Sequence, residues 1–221
     1  GQNKDVIRLL LSYNANVAIQ EINGRNAYHE AAYTFDVNII DMIRRAGGNP
    51  LSRDKAGNTP FSIVMKQNSK IIKAVLGTST QITDSDGNTP IHLVVKAKGS
   101  STLLKELIGI GYPIDSRNSD GYTALTYAIE NENLSQTTIL LENGANPFQS
   151  IDKKGYNAVN IALEKNNKQI IGTIVKYAGT MADIQGNTIL HYAAKNPSAE
   201  TVKELLSYGL SKDVKNIAGE T

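Results

Sequence analysis

The chain contains no cysteine and no tryptophan, and only three histidines, three phenylalanines and six prolines among 221 residues. Each shortage removes a class of explanation. Without cysteine there is neither a disulfide nor thiolate chemistry. The compartment stays open, with the cytoplasm slightly favoured, because a packed core needs no covalent staple in either redox setting. Basic and acidic side chains nearly balance, 23 against 21 for a net charge of +2, and no basic block exists. There is thus no one-sided field to draw in nucleic acid or lipid headgroups. No run approaches the roughly 18 apolar residues that span a bilayer, and the stretch from Gly1 onward has no signal-peptide pattern. Nucleic-acid binding and membrane insertion are therefore not expected.

What the chain does have is a period. A glycine followed two residues later by Thr or Asn stands at Gly24, Gly57, Gly87, Gly121, Gly155, Gly186 and Gly219, with gaps of 33, 30, 34, 34, 31 and 33 residues. Asn26, Thr59, Thr89, Thr123, Asn157 and Thr188 follow the first six of these glycines. All are side chains that cap a helix N-terminus by accepting a backbone N–H. Pro60 and Pro90 come next in two units, suiting a first helical position where an N–H has no partner to lose. Small or apolar residues such as Ala31, Ala32, Val94, Val95, Ala128, Ala162, Ala193 and Ala194 then mark an inward face.

About ten residues further a second apolar pattern appears, with Ile39, Ile40 and Ile43, with Leu103, Leu104 and Leu107, and with Ile170, Ile171 and Ile174. Spacings of three and four place such residues on one side of an amphipathic helix. Gly144, in "ENGANPFQSIDKKG", is placed to end such a helix in a left-handed conformation. Each unit reads as helix, turn, helix and an outward loop or hairpin.

The period, the helix starts "DGNTPIH" and "GNTILHYAA", the ending "LLENGAN" and the opening "LLLSYNAN" make the chain resemble the ankyrin-repeat family over essentially its whole length. The starts "NAYH", "TPFS", "TALT" and "NAVN" depart from the family pattern, and the units opened by Gly57 and Gly155 are short. The resemblance implies an all-α solenoid of stacked helix pairs with protruding β-hairpin loops, each layer buried against its neighbours. The expected organisation is one array over 1–221. A half repeat at 1–20 precedes full repeats at about 21–53, 54–83, 84–117, 118–151, 152–182 and 183–215, and a further start lies at 216–221. The ends read as cuts from a longer array.

Enzymatic readings fare poorly. His29, His92 and His191 each stand five residues after a marker glycine. The resemblance makes them structural, tying neighbouring turns by hydrogen bonds. At about 10 Å per packed helix layer they lie too far apart to share a metal. "DSDGN", Asp84 to Asn88, has calcium-loop flavour, but Thr89 stands where the sharp turn needs glycine and Val95 where a bidentate glutamate belongs. "GIGYP" opens no phosphate-binding helix, and no Gly-Lys-Ser/Thr element exists. "NLS" at Asn133 is a glycosylation acceptor in form only. No catalysis, cofactor or metal is expected.

The resemblance implies instead that a monomer binds a protein partner on a concave face, built from hairpin tips and the ends of the first helices. Carried over unit by unit, the candidate residues are Arg25 and Tyr33; Lys55, Asn58 and Lys66; Asp86, Asn88 and Lys96; Asp120, Tyr122 and Glu130; Lys153, Lys154, Tyr156 and Lys165; and Gln185, Asn187 and Lys195. Asn23, Gln67, Asn131, Glu164 and Asn196 flank them. Tyr122 and Tyr156 hold the same place in adjacent units, directly after the glycine. Such rings either offer amphipathic contact area to a partner or pack over their own hairpins. Eight basic candidates against four acidic ones, Asp86, Asp120, Glu130 and Glu164, would favour an acidic or phosphorylated partner. Two rival roles are a targeting or autoinhibitory arm of a larger enzyme, toxin or membrane protein, and a spacer that binds nothing.

Overall fold

A computed structural model describes residues 2–149, 155–195 and 199–221, and these divide into two compact units, Gly1–Ser85 and Asp86–Thr221. In the first unit a lone helix α1 (Gln2–Ser12) is followed by the pairs α2 (Ala27–Thr34) with α3 (Val37–Arg45) and α4 (Pro60–Val64) with α5 (Ser69–Leu76). The second unit holds α6 (Pro90–Lys96) with α7 (Ser101–Ile110) and α8 (Ala124–Glu130) with α9 (Leu134–Glu142). It continues with α10 (Ala158–Lys165) beside α11 (Lys168–Ala178) and α12 (Ile189–Ala194) beside α13 (Ala199–Ser207). No strand occurs among the described residues. The outward loops described are turns, and those that start at Glu21, Asp54, Asn118, Asp183 and Asn216 are each closed by two backbone bonds such as Asp54 N–H to Asn58 O and Gly57 N–H to Asp54 O.

Six helices begin in the same way because the same chemistry recurs. The third helical residue turns its side chain back to accept the N–H of the cap residue. His29 Nδ1 accepts from Asn26 at 3.2 Å, Ser62 Oγ from Thr59 at 2.8 Å and His92 Nδ1 from Thr89 at 3.1 Å. Thr126 Oγ1 accepts from Thr123 at 3.4 Å, Asn160 Oδ1 from Asn157 at 3.0 Å and His191 Nδ1 from Thr188 at 3.1 Å. The seven marker glycines all adopt positive φ, between 76° and 86°, a conformation in which a Cβ is strained.

Packing follows from small residues on the first helices and branched apolar ones on the second. Ala32, Ala128, Ala162 and Ala193 are fully buried, as are Ile40, Leu104, Leu107, Leu140, Ile170, Ile171 and Ile174. First helices pack on first helices, α2 on α4 and α6 on α8, α8 on α10, α10 on α12, while each also packs on its own second helix. A buried Leu or Ile contributes about 1.5–3 kcal/mol, so these rows supply most of the cohesion. Helix α9 departs furthest from the rule. Three and four residues past the cap, the others described carry Ile39–Ile40, Ile71–Ile72, Leu103–Leu104 and Ile170–Ile171, or Thr201–Val202 at the start of α13. Helix α9 instead buries Gln136 and Thr137. Gln136 Nε2 donates to Gly99 O at 2.8 Å, whereas Gln136 Oε1 and Thr137 Oγ1 find no partner.

Candidate functional site

Three of the turn tips are organised by one residue five positions before the helix cap. Its side-chain oxygen gathers backbone N–H groups of its own turn. Asp54 takes that of Asn58, Asn118 those of Asp120 and Tyr122, and Asp183 those of Gln185 and Asn187. Burial alone pushes the Asp183 carboxyl up. The hydrogen bonds from the Asn187 amide, the Tyr192 hydroxyl and the two backbone N–H groups outweigh it and hold the group below the usual carboxylate range. Tyr192 responds in the opposite sense, raised by burial and then by the carboxylate it donates to.

Histidine joins one tip to the next. His29 Nε2 lies 3.2 Å from Asn58 O, His92 Nε2 3.0 Å from Tyr122 O and His191 Nε2 3.1 Å from Glu220 O. A carbonyl can only accept, so Nε2 carries the proton and Nδ1 is the acceptor that caps the helix. Both nitrogens of each ring are thereby engaged, as expected for structural residues. No group of three potential metal ligands occurs among the described residues. The same three junctions carry a backbone bond between tips, Lys55 N–H to Asn23 O, Ser119 N–H to Asp86 O and Ile217 N–H to Gln185 O.

The candidate surface residues separate into groups. In the first unit Arg25 stands between Glu21 at 3.6 Å and Glu30 at 3.4 Å, with its guanidinium 6.0 Å from the Tyr33 ring. Tyr33, Lys55 and Lys66 are exposed. Asn58 is exposed but turns its amide onto Asp54 and gives its carbonyl to His29. In the second unit Lys96, Asp120, Lys165, Gln185 and Lys195 are exposed, and Asp86, Tyr122, Glu130, Tyr156 and Asn187 are half-buried. Lys165 meets Glu132 at 3.5 Å. Asn88 departs most from expectation. It is 0% exposed and accepts Asn118 Nδ2 at 2.9 Å, so it fills the core of a tip rather than its surface. Asn187 receives the same bond from Asn216, at 2.8 Å. Lys153 and Lys154 lie outside the described residues, as does Asn196.

Tyr122 is no free-standing ring. Its edge meets Tyr127 with centroids 5.3 Å apart and planes at 76°, and His92 meets Tyr127 at 6.3 Å and 87°. The Tyr127 hydroxyl accepts Asn118 Nδ2 at 2.9 Å, and the Lys96 ammonium lies 5.2 Å from the Tyr127 centroid, within cation–π range. Asn118 therefore fixes both tyrosines at once, one through its backbone and one through its hydroxyl. Sequence reasoning missed Tyr127 and Asn118. Their signal was present in the sequence: Tyr127 and Tyr192 share a helix position, each nine residues after a turn residue, Asn118 or Asp183. The Asn133 amide oxygen accepts the Gln136 N–H as a helix cap.

Stacked helix pairs, reciprocal caps and tight outward turns define a helical repeat protein of the helix–turn–helix type. A family model described as ankyrin repeats (3 copies) matches residues 61–151 and 139–216, and the chain belongs to the ankyrin-repeat family. The nuclear factor NF-kappa-B p105 subunit of Gallus gallus is 27% identical over 150 residues, which make up 64% of this chain and 15% of that protein. The phosphocholine transferase AnkX of Legionella pneumophila is 27% identical over 155 residues, 65% of this chain and 16% of that protein. This chain thus spans about a sixth of the length of these two relatives. The ankyrin repeat domain of Bcl-3 superposes with a TM-score of 0.64 over 90% of this chain and 92% of that one, at 22% identity. Among the described residues no helix is long and apolar enough to cross a membrane.

Proposed function

We propose that the chain is a non-catalytic protein-interaction module, and that it holds a protein partner on the face formed by its turn tips and first-helix ends. Ankyrin repeats are in general protein-interaction modules. The observation that carries the reading to this face is the Asn118 node, which presents Tyr122, Tyr127 and the Lys96 ammonium as one locked, half-exposed group. Rings ordered beforehand lose little entropy on binding, which is why tyrosine recurs at interface hot spots. Tyr156, at the equivalent place one repeat on, would extend the same contact. The module acts as a monomer and takes neither nucleic acid nor cofactor.

The test is capture from the source cell with the wild type beside a Tyr122→Ala, Tyr156→Ala variant, followed by lysine cross-linking of the captured protein. The reading holds if the variant melts within a few degrees of the wild type, loses the partner, and cross-links in the wild type fall on Lys96 and Lys195. Cross-links confined to Lys105 and Lys176, on the second helices, would move the interface to the opposite side.

A second reading is favoured by the short span of this chain against its relatives. The array would be the targeting or autoinhibitory arm of a larger protein. Comparing the activity of the whole protein with and without the Tyr122→Ala, Tyr156→Ala pair separates the roles, since an autoinhibitory arm releases activity when its contact is broken.

A further inference from the structure

Four charged residues in the second unit hold one place. Lys96 ends α6, Glu130 ends α8, Glu164 is the next-to-last residue of α10 and Lys195 follows α12, each seven residues after its helix cap. The four helices pack in that order, α6 on α8, α8 on α10 and α10 on α12. Among the described residues none of the four forms an ion pair, whereas Lys165, Lys168 and Lys212 in the same unit all do.

The signs are informative. The C-terminal end of a helix carries partial negative charge, which favours a cation and disfavours an anion. Lys96 and Lys195 obey this. Glu130 and Glu164 oppose it, and among the described residues no cation pairs with either, so the stability of their own helices does not account for them. The same row also differs from the overall excess of basic candidates, because its centre is acidic.

Resting on the reading that this face binds protein, we propose that the row recognises a polypeptide segment of opposite pattern: acidic, basic, basic, acidic. Steps of about 10 Å between packed helices give a span of about 30 Å, the length of a helix of about 20 residues. The pair of glutamates at the centre selects for Lys or Arg in the middle of the segment. Lys96, held over Tyr127 beside Tyr122, takes an acidic side chain at one end and offers an apolar shelf to its neighbour. A uniformly acidic partner and a nucleic acid would both meet repulsion at Glu130 and Glu164.

The probe is a random peptide library displayed on phage, selected in parallel on the wild type, on a Glu130→Lys, Glu164→Lys variant and on Tyr122→Ala. The wild-type pool should be enriched in Lys and Arg at its centre with Asp or Glu outside. The reversed variant should bind that pool at least about tenfold more weakly and select acidic centres of its own. It should melt no lower than the wild type, since each change removes an anion from a helix C-terminus. Pools of the same charge from both proteins overturn the charge reading, and if those peptides still lose binding to Tyr122→Ala, the binding face itself stands. Peptides indifferent to all variants, or no enriched peptide at all, overturn the charge reading and the face together.

Discussion

Three of the six helix starts are closed by histidine and three by a shorter side chain, and the two sets do different amounts of work. Ser62, Thr126 and Asn160 reach back to the N–H of their own cap. His29, His92 and His191 make that same bond with one nitrogen and bond with the other to a carbonyl 29 or 30 residues further on. Beside each histidine the marker glycine also lies against the next tip. A Cβ on Gly24 would stand 2.9 Å from Lys55 N, on Gly87 3.0 Å from Ser119 N and on Gly186 3.2 Å from Asn216 Cα. Capping needs only an acceptor of the right length. Joining layers needs reach, together with a turn that lets two backbones touch.

The largest test of that difference is Gly87→Ala against Gly57→Ala. Both place a side chain at positive φ, at 76° and 82°, but no atom lies within 4 Å of a Cβ on Gly57. Strain alone costs about 1–2 kcal/mol, so urea titration should show about that loss for Gly57→Ala and about 3 kcal/mol or more for Gly87→Ala, where backbone must also move. Equal losses would remove the close tip from the comparison. Next in size, His92→Ala should cost about 2–4 kcal/mol, through a lost cap, a lost inter-repeat bond and a buried void, against about 1–2 kcal/mol for Thr126→Ala. His92→Asn sharpens the contrast. Like Asn160 in its own repeat, the shorter side chain keeps the cap but falls short of Tyr122 O, and the melting point should lie between the other two.

A smaller effect of opposite sign is expected at α9. Thr137→Val keeps the shape of the side chain and removes a buried hydroxyl without a partner, so thermal melting should rise by the equivalent of about 0.5–1 kcal/mol. Smallest is the acid response that separates two otherwise matching tips. Asp183 titrates and Asn118, in the same place, does not. The carboxyl of Asp183 is held below its ordinary value in the fold, so its contribution is complete above that value and is lost as pH falls through the depressed one. The melting temperature should fall on acidification through that range, and Asp183→Asn should flatten the fall.

Most of the scaffold was legible because its determinants are local. A capping residue, its partner three positions on and a glycine before them fit within six residues, and the apolar pairs of the second helices show directly in the spacing. The histidines could be understood for the same reason, since one period separates a ring from the carbonyl it meets. The fate of Asn88 was not legible. Nothing near it predicts burial, which arrives with Asn118 from 30 positions later. Tyr127 was hidden by the apolar stripe it sits in, where only a hydroxyl partner distinguishes platform from core. The polar pair Gln136 and Thr137 shows how packing tolerates what periodicity would reject, and the division of the chain at Ser85 left no mark in composition.

Each histidine fastens to a main-chain oxygen, and the residues that supply those oxygens are asparagine, tyrosine and glutamate. A carbonyl is present whatever the side chain. Mutation can therefore change the chemistry displayed at Asn58, Tyr122 or Glu220 while the joint beneath it stays closed, so partner choice can drift over generations with the architecture unaltered.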